Sequence, residues 1–193
     1  VKGDPFAKDL VLAIRYAVDN GADVVLMPQQ EIYYSPTEKE WIFDAIKYAE
    51  KKGVLVVVPV WNNGMNMDMD LYKYYPSKDM NPKSRLSNLI TVACTDSLGN
   101  PMHLTNYGMK EVDFFAPGQY IYSSIPGDIY LFGNSKSLGA AVTAGSVALI
   151  KAYFPKMKPA DLRKLLISNV TNVADKEVSL TIVRDGKEQQ EQF

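Results

Sequence analysis

The sequence predicts an α/β fold: a doubly wound, mostly parallel sheet with helices on both faces. Three observations carry that reading. Two segments of helical periodicity, 7–20 and 35–52, each run through a glycine into a short apolar segment. Those apolar segments, 22–27 and 54–58, lack the polar alternation of a half-solvated strand, so both of their faces need covering. A later segment, 137–153, is small or apolar on nearly every side, as a deeply buried helix is.

The elements follow in order. Leu10, Val11, Ile14, Ala17 and Val18 share one face of the first helix, and Gly21 stops it. The run 22–27 reads as a buried strand. Ser35 is placed as an N-cap, Pro36 at the first helical position and Glu38 to close a capping box. Trp41, Ile42, Ala45, Ile46 and Ala49 are the expected inward face of this second helix, which Gly53 ends. The β-branched run 54–58 is the strongest strand signal. Segment 89–93 is a third strand candidate, and 112–115 and 120–123, flanking Pro117-Gly118, are short later ones. Segment 158–170 predicts an amphipathic helix through Leu162, Leu165, Leu166 and Val170. From Asp175 the chain turns polar, with one alternating stretch (Val178, Leu180, Ile182) and a Gln/Glu-rich tail.

The 193 residues, 47% hydrophobic and 22% charged, fit one soluble domain, here read as a core over 7–170 with a polar extension over 175–193. A formal net charge of -1 gives no electrostatic case for nucleic acid or an anionic membrane surface. No apolar run is long enough to span a bilayer. The chain begins at Val1 rather than Met and carries no signal-peptide pattern, so a processed or trimmed product is expected. The single cysteine, Cys94, lies in an apolar run and reads as a small buried core residue. The acidic residues of segment 65–70 read as a solvated loop in preference to a cation site, because calcium wants six or more oxygens. No metal or cofactor is expected.

The segment Ser135-Lys136-Ser137-Leu138-Gly139-Ala140-Ala141-Val142-Thr143-Ala144-Gly145 carries the chemistry. A polar turn runs into a helix of small residues with Ser137 at the joint, where a nucleophilic hydroxyl is often presented near free backbone N–H groups. The competing reading makes Ser137 an N-cap. The segment resembles the nucleophile motif of subtilisin-like serine peptidases, Gly-Thr-Ser-Met-Ala-Ala/Thr-Pro-x-Val-x-Gly, with Ser137 on the nucleophile. Ser135 stands for Gly, Lys136 for Thr and Ala141 for Pro. Segments 13–25 and 45–57 resemble two of the family's helix–strand units. Thr105-Asn106-Tyr107-Gly108 is similar to a Ser-Asn-Tyr/Phe-Gly signature. Phe115-Ala116-Pro117-Gly118 and Ser123-Ser124-Ile125-Pro126-Gly127 match the approach to the nucleophile. All occur in the family's order and spacing, over roughly residues 7–170.

The resemblance implies a site and also departures from it. A serine needs a base, oriented by a third group. In the family these are Asp and His, in Asp-x-Gly and His-Gly-Thr-His motifs upstream of the region matched here. That pair of motifs does not occur, and the one histidine, His103, falls two residues before the Ser-Asn-Tyr-Gly signature. Asn62 matches the family's oxyanion-hole asparagine. The Ala-Ala-Gly before it, which lines the family's primary specificity pocket, is replaced by Pro59-Val60-Trp61, and the indole is expected to narrow or fill the pocket. The edge that pairs with extended substrate ends in Pro28-Gln29-Gln30 in place of Ser-x-Gly. Pro28 removes an N–H donor, and Gln30 puts a side chain where glycine lets backbones approach.

The expectation is therefore a partial subtilase-like domain, its Asp/His part outside this chain, without catalytic activity by itself and with a binding or structural role. The alternative is an active serine endopeptidase whose Asp and His lie on a segment outside this chain. The expected partners are a peptide or protein, or a second copy bound along an exposed sheet edge. A secreted or cell-envelope location is implied by the resemblance alone.

Overall fold

The computed structural model of the chain describes residues 6–28, 34–69, 77–78, 85–170, 179–184 and 187–192. Helix α1 (Ala7–Asp19) leads to strand β1 (Val24–Leu26), and α2 (Pro36–Lys51) to β2 (Leu55–Pro59). Strands β3 (Leu89–Thr95) and β4 (Phe114–Pro117) complete a four-stranded parallel sheet of order β1-β2-β3-β4. Strands β5 (Ile121–Ile125) and β6 (Ile129–Gly133) form a separate antiparallel hairpin. Helices α3 (Lys136–Tyr153) and α4 (Pro159–Ser168) follow, and β7 (Ser179–Arg184) pairs antiparallel with β8 (Lys187–Gln192).

The run 54–58 is continuously apolar because alternate residues of β2 serve two cores. Val56 and Val58 join Leu10 and Ile14 of α1 and Ile42 and Ile46 of α2. Leu55 and Val57 join Ile90 and Val92 of β3, Ala140 and Val147 of α3 and Leu162 of α4. Each fully buried side chain of this size contributes about 1.5–3 kcal/mol. Asn88, buried at the start of β3, donates from its amide to the carbonyls of Ile46 and Val54, at 3.2 and 2.9 Å. It thereby ties α2 and β2 to the third strand.

Local signals set the boundaries. The Ser35 hydroxyl accepts from Glu38 N–H while the Glu38 carboxylate accepts from Ser35 N–H, so both halves of the capping box form. The Ser35 hydroxyl also donates to the Glu38 carboxylate, and that bond, with the one from Ser35 N–H, holds the Glu38 carboxyl below its usual pKa. Both helix stops have left-handed backbone, at φ +84° for Gly21 and +81° for Gly53.

Five expectations change. Trp41 is 49% exposed while Phe43 is buried, because the buried stripe of α2 runs through Ile42, Ala45, Ile46 and Ala49 and Trp41 lies just off it. On α4 only Leu162 is buried. Leu165 and Val170 stay exposed, because α4 touches the sheet side with one edge only. Strand β6 was not anticipated in segment 129–133, and it pairs with β5 across the Gly127-Asp128 turn. The polar tail is also a strand, since a β-ladder needs backbone rather than apolar side chains; Val178 lies outside the described residues.

The fifth change is the largest. Helix α3 buries Gly139, Ala140, Thr143 and Val147 against the sheet, but Val142, Leu149 and Tyr153 on the other side are exposed. One sheet face can cover one stripe of a helix, and among the described residues no layer lies on the other. Strand β1, which pairs with β2 alone among the described residues, is likewise only half-buried. An open edge along the strand of residues 24–27 was expected.

Candidate functional site

Ser137 is the second residue of α3. The helix starts one residue earlier than expected, and its N-cap is Ser135, whose hydroxyl accepts from Ser137 N–H at 3.2 Å. The capping reading therefore belongs to Ser135, and Ser137 is left with a half-buried hydroxyl for other use. That hydroxyl donates to the backbone carbonyl of Pro28, just past β1, at 3.1 Å. The pair brings together residues 109 positions apart, at the carboxyl end of the strands, where α/β sheets place their sites.

Asn62 lies beyond the same end of β2, half-buried, in a loop held by the Thr105-Asn106-Tyr107-Gly108 segment. The Asn106 side-chain oxygen accepts from Asn63 N–H and Met65 N–H, both at 3.1 Å, while Asn106 N–H donates to the Trp61 carbonyl at 2.9 Å. Tyr107 N–H donates to the Met65 carbonyl at 3.1 Å, and Gly64 N–H to that of Leu104 at 2.9 Å. The segment thus clamps Asn62 from both sides. Asn106→Ala removes one acceptor serving two N–H groups and is expected to cost about 1–3 kcal/mol in urea unfolding. Asn106→Asp, which keeps that oxygen, loses less; equal losses for the two variants would count against the clamp.

Asp68 braces the far side of this loop. Its carboxylate accepts from Lys110 N–H and Glu111 N–H, each at 3.0 Å. The acidic residue of segment 65–70 that the structure describes in detail is thus spent on backbone N–H groups; Asp70 lies outside the described residues.

Val60 and Trp61, expected at the specificity pocket, are 1% and 3% exposed. Val60 packs with Met67 and Ala93. Trp61 belongs to the core cluster that contains Met27, Tyr34 and Phe43. Pro28 is exposed, and Gln29 and Gln30 lie outside the described residues.

Two further residues shape the site without having been read as doing so. Cys94 lies fully buried beneath the first turn of α3, its thiol donating to the Lys136 carbonyl at 3.0 Å. Burial pushes its pKa up to about 11, so it stays a thiol and does not stand in as a nucleophile. The Lys136 ammonium donates to the backbone carbonyl of His103, which ties the start of α3 to the loop before Asn106. His103 is thus brought near the site through its backbone, while its side chain is exposed. Asp19-Asn20-Gly21 has the letters of Asp-x-Gly, yet it is the stop of α1, and the Asp19 carboxylate accepts from the Tyr48 hydroxyl.

Chemically, the described residues supply a serine at a helix N-terminus, an asparagine on a clamped loop, and a backbone carbonyl where a base is needed. Among these residues no cluster of His, Cys, Asp or Glu is placed to hold a metal ion. No helix among them is long and apolar enough to cross a membrane.

Comparison with known proteins agrees with this geometry. The model of the subtilase family matches residues 4–183. Subtilisin DY of Bacillus licheniformis is 28% identical over 166 residues, which are 86% of this chain and 56% of that protein. A thermophilic serine proteinase of Bacillus sp. (strain AK1) is 30% identical over 148 residues, 77% of this chain and 33% of the relative. Among solved structures, a cold adapted subtilisin-like serine proteinase superposes with a TM-score of 0.72 at 21% identity, over 89% of this chain and 57% of that one. The prenylagaramide maturation protease PagA gives 0.71 at 20% identity, over 89% and 60%. The chain thus spans about half the length of the first of these relatives.

Proposed function

The chain belongs to the subtilase family, and we propose that by itself it is a non-catalytic member that binds extended polypeptide instead of cleaving it. The observation that carries this reading is the bond from the Ser137 hydroxyl to the Pro28 carbonyl. A nucleophilic serine gives its proton to a base, and a backbone amide oxygen is not one. General-base assistance is worth about 10²–10⁴-fold, and the sole histidine approaches the site by its carbonyl. Trp61 fits the same reading, since its ring is taken up in the core cluster with Met27, Tyr34 and Phe43 and is 3% exposed. Asn62 remains as an acceptor or donor for a bound backbone. Strand β1 ends at the site with half-exposed Val24, Val25 and Leu26, and its edge, unpaired among the described residues, offers N–H and C=O groups to an added strand, from a peptide or a second copy.

The test is active-site labelling. The chain and its Ser137→Ala variant are incubated with a fluorophosphonate probe, and adduct is counted by intact-mass spectrometry. Equal, negligible adduct on both is expected. Stoichiometric adduct on the chain that disappears in Ser137→Ala would overturn the proposal in favour of an active serine endopeptidase.

A further inference from the structure

We infer that Lys78 is a positioning residue for Asn62: its buried ammonium fixes the backbone at Glu111, and from that point Asp68 holds the loop that carries Asn62. This rests on the reading of Asn62 as a group that meets a bound backbone. The Lys78 ammonium donates to the Glu111 carbonyl at 2.8 Å, and Lys78 N–H donates to the Glu111 carboxylate at 3.2 Å. The Thr91 hydroxyl, on β3, donates to the same carbonyl. Glu111 is thus gripped through both main chain and side chain. On its other side, Glu111 N–H and Lys110 N–H donate to the Asp68 carboxylate, each at 3.0 Å. Asp68 N–H donates to the Asn66 side-chain oxygen at 2.9 Å, and Met67 N–H to the Tyr107 carbonyl at 2.6 Å. Gly108 shows how tightly Asp68 is seated. Its φ is +150°, and a Cβ built there would come to 2.6 Å from the Asp68 Oδ1, so glycine is what lets the carboxylate in.

Burial says why an ammonium matters here. The side chains of Lys78 and Asp113 are 0% and 3% exposed, and Glu111 is 3% exposed, all covered by this chain's own residues. A charge this deep is costly even when paired, and a methionine of similar length would fill the space without that cost. What methionine cannot do is donate to the Glu111 carbonyl, and hydrogen bonds from a charged donor are the stronger kind. Asp113 holds the ammonium in place at 2.8 Å and also meets the Arg163 guanidinium, so the anchor is tied to α4 as well. The Asn106 side chain holds residues 63 and 65 from the near side of the loop. The relay from Lys78 holds the far side, and the two together fix the loop of Asn62 at both ends.

Hydrogen exchange of the full chain, followed by NMR, tests the inference. Lys78→Met is expected to speed exchange of the Met65, Lys110 and Glu111 amides by about tenfold or more beyond any change at Val57 and Val92 in the sheet. A merely structural role would speed the sheet amides at least as much. The side-chain amide signals of Asn62 are expected to shift or broaden in the same variant. Asp68→Ala cuts the relay without opening the buried ion pair, and it is expected to loosen Asn63 and Met65 likewise. Adding Lys78→Met to Asp68→Ala should then speed these two amides no further. Exchange that rises equally in loop and sheet, or an unmoved Asn62 signal in Lys78→Met, overturns the inference. So does an Asp68→Ala chain whose loop is no looser than the parent's, or a Lys78→Met effect undiminished by the loss of Asp68. These readouts need neither bound polypeptide nor acylation of Ser137, so this inference and the proposed function fail separately.

Discussion

Asp113→Ala is expected to destabilise the fold by about 3–5 kcal/mol, a large part of the total stability of a domain this size. Asp113 joins three partners, of which Lys78 and Thr91 are buried. One carboxylate oxygen lies 2.8 Å from the Lys78 ammonium and also meets the Arg163 guanidinium; the other accepts from Thr91 N–H at 2.9 Å. The Lys78 side chain is 0% exposed, and its ammonium also donates to the Glu111 carbonyl at 2.8 Å. Removing Asp113 leaves the ammonium buried with no counter-charge at that distance among the described residues, and this costs more than the ion pair itself contributes. Asp113→Asn, which keeps one oxygen acceptor, is expected to lose less. Adding Lys78→Met to Asp113→Ala is expected to recover much of the loss. If the double variant is no more stable than Asp113→Ala alone, the uncompensated charge is not the cause.

The same cluster gives a pH signature. Burial lowers the Lys78 pKa below the usual lysine range, and Asp113 partly opposes that. The unfolded chain therefore holds this proton more tightly than the folded one. Stability rises with pH between the folded and unfolded pKa values, and this contribution is lost as pH falls through the folded one. Without Asp113 the opposing attraction is gone, so the rise should be steeper in Asp113→Ala, as measured by urea unfolding on the alkaline side. The cluster also bears on the site. Glu111, whose carbonyl Lys78 holds, gives its N–H to Asp68, which braces the loop of Asn62.

The parallel sheet was legible because continuous apolar strands and capped helices are local signals. The Ser35–Glu38 capping box and the Gly21 and Gly53 stops lie where the residues alone put them. Faces were less legible. Periodicity marks Trp41 as a neighbour of Ile42 but does not say where the core ends. Helix α3 is the clearest case: its small apolar residues announce a helix meant to be covered on all sides, while cover depends on what packs there. Strand β6 was missed because its partner, not its own pattern, makes it a strand.

At the site, Ser137 was legible from a motif, and its bond to Pro28 was not. That contact spans 109 positions and depends on how α3 crosses the end of β1. Asn106 carried a family signature, yet its task of clamping the Asn62 loop is visible only in its bonds. Trp61 was expected to narrow or fill a specificity pocket; its ring is buried in a core cluster. That it joins the core of α1 and α2 could not be read from strand alternation, which would put residue 61 with Leu55 and Val57; β2 ends at Pro59, and beyond it the alternation no longer holds. The burial of Lys78 gave no sequence signal, because a lysine in a polar loop ordinarily faces water.

Gly139→Ala is expected to destabilise this chain, although alanine normally stabilises a helix interior by about 1 kcal/mol over glycine. A Cβ built on Gly139 comes to 2.3 Å from the Cys94 sulfur and 3.3 Å from the Ala116 carbonyl. Both neighbours belong to sheet strands, so the helix must lift or the sulfur must turn, and such overpacking costs typically about 1–3 kcal/mol. The nucleophile motif this segment resembles has alanine at the position of Gly139, which points to Cys94 as the reason for glycine here. Cys94→Ala opens the space, so the Cys94→Ala/Gly139→Ala pair should be more stable than the sum of its single losses, by about 0.5–3 kcal/mol. Urea unfolding of the four chains measures that coupling. An additive result would sink the close-approach account. Gly139 lies two residues after Ser137, so lifting the first turn of α3 also pulls the serine hydroxyl off the Pro28 carbonyl. In the single variant Gly139→Ala that contact should therefore be lost together with stability, and in the double variant both should return.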